Sequence, residues 1–69
     1  MRTEGQVLLL KLAHRTSEVR VARKCGVGQP TISLWISGRR KPNFESRRTL
    51  FEQCQIPMEA WDRIAEEDV

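Results

Sequence analysis

Apolar positions recur at helical spacing through most of the chain, and no segment alternates with the period of two that a half-buried strand would show. Thr3 can cap a first helix with Glu4 in its first turn, and Val7, Leu8, Leu10 and Lys11, then Leu12, follow at helical spacing to about His14. Leu9 lies off that stripe, so either the helix is buried broadly or Leu9 meets a partner chain. Ser17 opens a short second helix with Val21, Ala22 and Cys25 on one face, and Gly26 suits its end. A third pattern begins at Gln29, tolerates Pro30 in its first turn, and sets Ile32, Trp35 and Ile36 on one side before Gly38 releases it. Over residues 17–38, therefore, two helices are joined by a tight glycine-containing turn and must cross steeply, the helix-turn-helix arrangement.

Further along, Pro42 forbids helix and Asn43 caps a fourth helix from about Phe44 to Cys54. Its spacing buries Phe44, Leu50, Phe51 and Cys54 and turns Arg47 and Arg48 outward. After the connector Gln55–Ile56, Pro57 suits the first turn of a fifth helix, 57–66, on which Met58, Trp61, Ile64 and Ala65 form one apolar stripe. The acidic remainder, Glu66, Glu67 and Asp68, is expected to fray. The expected architecture is all-α with five helices, one domain over residues 1–69. At this length folding hides only roughly 60% of the unfolded surface, so the core must be small.

Charge changes this picture more than composition does. Eleven of the twelve Lys and Arg fall in residues 1–48, against Glu4, Glu18 and Glu45, while residues 49–69 hold Arg63 and six acids. A basic region of this kind is the electrostatic footprint of a phosphate-backbone partner, although an Arg-rich solvated surface yields the same count. No apolar run reaches the roughly 18 residues of a membrane span, and VLLLKLA is short and interrupted by Lys11. It does not read as a secretory signal either, so a cytoplasmic location is expected. Cys25 and Cys54 read as reduced core thiols; with His14 alone and no C-x-x-C pair, ligands for a metal are lacking. His14 suits the C-terminal end of the first helix, where a cation meets the dipole. No paired carboxylates flank a histidine, and there is no nucleophile motif or glycine-rich nucleotide loop, which argues against an enzyme, a cofactor or a small-molecule substrate.

If Ile32, Trp35 and Ile36 face the core, then Gln29, Pro30, Thr31, Ser33 and Leu34 face away. Leu34 is either an ordinary exposed leucine or a contact for a thymine methyl in the major groove. Directly behind this helix comes GRRKPN, where Arg39, Arg40 and Lys41 stack positive charge in a loop. By itself the loop is a solvated basic segment; beside a recognition helix it reads as a phosphate clamp or minor-groove arm.

The stretch VARKCGVGQPTISLWISGRRKP closely resembles the helix-turn-helix of the lambda-repressor-like family, through Ala22, Gly26, Val27, Gln29, Ile32, Ser33, Trp35, Gly38 and Pro42. IPMEAWD also looks like the helix that follows the motif in many such regulators. The resemblance implies that Gln29 reads a base, typically adenine, whose N6 and N7 one amide can satisfy together. It implies that Thr31, Ser33 and Leu34 face the groove, and that Ser37, Asn43 and the basic loop Arg39 to Lys41 contact phosphates or the minor groove. Ser17, at the N-terminal end of a helix, is a further candidate phosphate contact. Pro30 occupies a position where relatives often carry a polar base-contacting side chain. Glu18 stands where the family often has a glutamine bracing the base-reading one, and a carboxylate cannot donate to phosphate. Direct readout is thereby reduced, and the loop and DNA shape gain weight.

The implied function is sequence-specific binding of double-stranded DNA by a regulator of phage or prophage type, a repressor or Cro-like switch acting by operator occlusion. One domain reads one half-site, so a homodimer on a pseudopalindrome is expected, with the fifth helix or Leu9 as the dimer patch. The alternative is an antitoxin or other protein-interaction module on the same fold, motivated by the Met58, Trp61, Ile64 stripe.

Overall fold

The computed structural model describes residues 2–66. Four α-helices follow in order, α1 (Glu4–Arg15), α2 (Glu18–Cys25), α3 (Gln29–Ser37) and α4 (Phe44–Cys54), and a 3-10 turn spans Met58–Asp62. Each start has a local cause. Thr3 and Gln6 form a reciprocal capping box at α1, Ser17 Oγ accepts from the Arg20 amide at α2, and Asn43 Oδ1 accepts from the Ser46 amide at α4. The turn between α2 and α3 is a Schellman closure. Gly26 takes the left-handed conformation at φ 70°, and the amides of Gly26 and Val27 return to the carbonyls of Arg23 and Ala22.

The core is built by Leu9, Val21, Ala22, Ile32, Trp35, Leu50, Ile56, Ala60 and Trp61, with Leu12, Cys25, Val27, Ile36 and Cys54 packed against it. Leu9 is therefore not a dimer patch: it is fully buried, and Leu8 is the residue that faces out. The buried side of α1 runs through Gln6, Leu9 and Ala13, an i, i+3, i+7 row. Gln6 hid that row from a hydrophobic reading, because it is polar yet buried. Its Oε1 closes the capping box and its Nε2 donates to the Ile36 carbonyl at 3.0 Å, tying α1 to the end of α3.

Two further expectations are corrected. Phe44 and Phe51 are not buried: Leu50 and, in part, Cys54 alone of the four carry α4 into the core, and the aromatic pair lies on its open side, 68% and 51% exposed. The expected helix 57–66 is instead the 3-10 turn Met58–Asp62. Arg63 turns extended, and residues 63–65 pair with residues 2–4 through Glu4 N to Arg63 O (2.8 Å), Ala65 N to Arg2 O (2.9 Å) and the isolated antiparallel bridge Thr3–Ile64. The stripe is dismantled as a result: Trp61 and Ala65 are buried, Met58 is half-buried, and Ile64 is half exposed on the pairing segment. Glu67 and Asp68 lie outside the described residues. Trp61 lies over Gly5, where a Cβ would fall into the indole ring, and that close approach joins the 3-10 turn to α1.

Candidate nucleic-acid interface

At the start of α3 the sequence departs from the helix-capping habit of the other three helices. Gly28 supplies no side-chain cap, and Pro30 sits in the first turn, where its missing N–H costs no ladder bond. Ile32 and Trp35 anchor the helix inward, with Ile36 half-buried beside them. Gln29 and Pro30 are thereby exposed, and Thr31, Ser33 and Leu34 are half-buried. Gln29, Pro30, Ser33, Leu34 and Ser37 converge with Arg39 on one open concavity of about 660 Å³. Thr31 is not among its lining residues.

Glu18, on α2, organises the head of this surface. Its Oε1 accepts from Gln29 Nε2 and from Ser33 Oγ, each at 2.8 Å, so one carboxylate oxygen spans the turn and holds two side chains of α3. The hydrogen bond from Gln29, then that from Ser33, holds the Glu18 carboxyl below its ordinary value, against a small opposing effect of burial. A carboxylate accepts only, and this dictates what is left over. Gln29 must turn its amide nitrogen toward Glu18, leaving Oε1 and the second N–H directed elsewhere. Ser33 has spent its one hydroxyl proton and can offer only oxygen lone pairs. The bracing position is thus occupied by a different chemistry from the glutamine common in relatives, and it is filled rather than lost.

The remaining sequence-selected residues divide. Ser17 and Asn43 serve as helix caps through their oxygens, leaving the Ser17 hydroxyl proton and the Asn43 amide N–H groups uncommitted. Ser37 Oγ donates to the Leu34 carbonyl at 3.1 Å and accepts from the Arg39 amide. Arg39 and Arg40 are exposed. Lys41 diverges from them, reaching Asp62 at 3.5 Å, and with Asn43 it belongs to the side of the molecule where Arg47 bridges the Pro42 carbonyl (3.0 Å) and Asp62 (2.9 Å). Arg47 was expected on the outer side of α4; it is half-buried and acts as the strut of the loop. Its hydrogen bond holds the Asp62 carboxyl below its usual range, with Lys41 adding to the effect.

This is a helix whose inner face is locked to a core, whose outer face carries braced polar groups, and whose end runs into a basic loop. The sequence matches the helix-turn-helix family model over residues 8–61, more than three quarters of the chain. The chain belongs to the lambda-repressor-like helix-turn-helix family. Members are DNA-binding transcription regulators rather than enzymes, and the all-helical architecture agrees with that assignment. Comparison with curated proteins and with solved structures gave no match. No helix among the described residues is long and apolar enough to cross a membrane, and none of their His, Cys, Asp and Glu side chains cluster in threes to hold a metal ion.

Proposed function

We propose that this regulator is a sequence-specific repressor of phage or prophage type, or a Cro-like switch, that acts in the cytoplasm by occupying an operator and excluding RNA polymerase. The observation that carries the reading is the Glu18 carboxylate gripping Gln29 and Ser33 at the head of α3. A surface that only had to attract DNA would gain from a cation there; a carboxylate beside the DNA is tolerable only where it orders a reading side chain. Gln29 supplies Oε1 and its free N–H to adenine N6 and N7, Leu34 meets a thymine methyl, and Pro30 and Ser33 shape the groove contact, with Thr31 outside the concavity they line. Arg39 and Arg40, with the uncommitted hydroxyl proton of Ser17, hold phosphates or the minor-groove edge, while Ser37 orders the loop that carries them and Lys41 and Asn43 lie to the side with Asp62. Two copies on a pseudopalindrome place two such helices about one turn of DNA apart.

Selection of bound duplexes from a random pool tests this directly. A two-fold symmetric enriched site is expected, and Gln29→Ala should cost about 1 to 3 kcal/mol of preference for it over random duplex. An unchanged preference would remove α3 as the reading element. A second reading, a module that holds a protein partner, draws its support from the exposed Phe44 and Phe51 on α4 rather than from the dismantled 57–66 stripe. Strong duplex retention with no protein partner argues against it.

A further inference from the structure

Cys25 and Cys54 are separated by 29 positions, yet the fold brings their sulfurs to 4.0 Å. Both are free, both are half-buried, and each is the last residue of its helix, immediately before a left-handed cap, Gly26 after α2 and Gln55 after α4. A disulfide needs about 2.05 Å between sulfurs, so closure asks the two helix ends to approach and the side chains to rotate by about 2 Å in total. Helix ends are where the chain yields most readily.

The two thiols open onto different clefts. Cys25 reaches a small one of about 170 Å³ beside Trp35 and Thr49. Cys54 lines a larger one of about 490 Å³, floored by Leu8 and Ile56 and rimmed by Lys11, His14 and Arg15. The charges of Lys11 and Arg15 attract an anionic reagent into this cleft.

We propose that Cys25 and Cys54 form a reversible internal disulfide by exchange with an anionic small-molecule disulfide that enters the basic cleft at Cys54. Cys54 gives up its proton and its sulfur attacks one sulfur of the reagent. The reagent's S–S bond breaks and one half leaves as a thiolate, which takes up a proton. Cys25 then loses its proton to solvent and attacks Cys54 Sγ, expelling the second half, which is protonated in turn. Two protein thiols are oxidised by two electrons and one disulfide is reduced to two thiols. The order of attack follows from access: Cys54 lines the larger cleft, of about 490 Å³, whereas Cys25 opens only onto the small one, of about 170 Å³. Burial raises the Cys25 thiol above the ordinary range, so it attacks only once the mixed disulfide holds Cys54 Sγ beside it. The bridge would staple α2 to α4 behind the recognition helix and close a ring of about 30 residues, which restricts the unfolded chain.

The reduced protein is incubated with glutathione disulfide and followed by intact mass and a non-reducing peptide map. The expected product has lost two hydrogens, shows a Cys25–Cys54 cross-link within one chain, and melts about 10 °C or more above the reduced form. Cys25→Ser should stop at one glutathione on Cys54, and hydroxyethyl disulfide, which is neutral, should react more slowly than glutathione disulfide. Unmodified thiols, glutathione on both cysteines without a bridge, or cross-links between chains alone would overturn the proposal. Equal rates with the neutral reagent would overturn the role given to Lys11 and Arg15. The wild-type product decides the bridge even if a serine variant fails to fold.

Discussion

One carboxylate governs what Gln29 and Ser33 can offer. A glutamine at position 18 could present either end of its amide, so Gln29 could turn over; Glu18 permits only one arrangement. Glu18→Gln is expected to raise affinity for random duplex, by removing a negative charge beside phosphates, and to reduce the operator preference by about 1 kcal/mol, both measured by titration with labelled duplexes. The same brace has a pH signature. Because the folded carboxyl titrates below 4.5, its ordinary value, the stability it lends is present well above that pH and is lost as pH falls through the lowered value. Side-chain NMR of the Gln29 amide should therefore titrate with a midpoint below 4.5, and a midpoint at or above 4.5 would contradict it. At Gly5 the limit is steric. Gly5→Ala drives a Cβ into the Trp61 ring and should cost about 2 to 3 kcal/mol in thermal unfolding, with wild-type-like stability refuting the close packing. Trp61 Nε1 is also buried, with no hydrogen-bond partner among the described residues.

Among the elements, the starts of α1, α2 and α4 and the glycine stops of α2 and α3 follow from short-range chemistry that the chain displays openly. The end of α4 does not, because Gln55 takes the left-handed conformation at φ 59° where glycine would be expected, and its amide closes the helix on Phe51 O. Gln55→Gly should stabilise the fold by up to about 1 kcal/mol, read from urea unfolding, by removing the Cβ penalty. No gain there would mean that the added freedom of the unfolded chain cancels the relief. The segment after Asp62 departs from its helical spacing for a different reason. Its apolar spacing fits a helix, but the backbone donors and acceptors of Arg63 and Ala65 find partners on residues 2 and 4, and an Arg63–Glu4 pair at 2.8 Å lies over the junction. Such a pairing has no local signature.

At the scale of the molecule, the basic half of the chain supplies the surface around α3 and the loop, and part of that charge is neutralised. Lys41 and Arg47 share Asp62, Arg48 lies against Glu52 and Arg63 against Glu4, whereas Arg39 and Arg40 are unpaired in the described residues. Duplex affinity should therefore fall steeply with salt, and Arg40→Ala should lower the slope of log K against log salt by about 1, more than Lys41→Ala does. Equal slopes for the two variants would show that Asp62 does not hold Lys41 back. The residues themselves determined the helices, the glycine turn, the inward Ile32 and Trp35 and, with them, the outward Gln29, because these follow from periodicity and local caps. Only the tertiary structure decided that Leu9 is core and Phe44 and Phe51 are not, that residues 63–65 pair with residues 2–4, and that Glu18 grips Gln29 and Ser33. Those outcomes depend on which element comes to lie against which. A polar residue such as Gln6 or Glu18 shows its partner only when the chain has folded it into place.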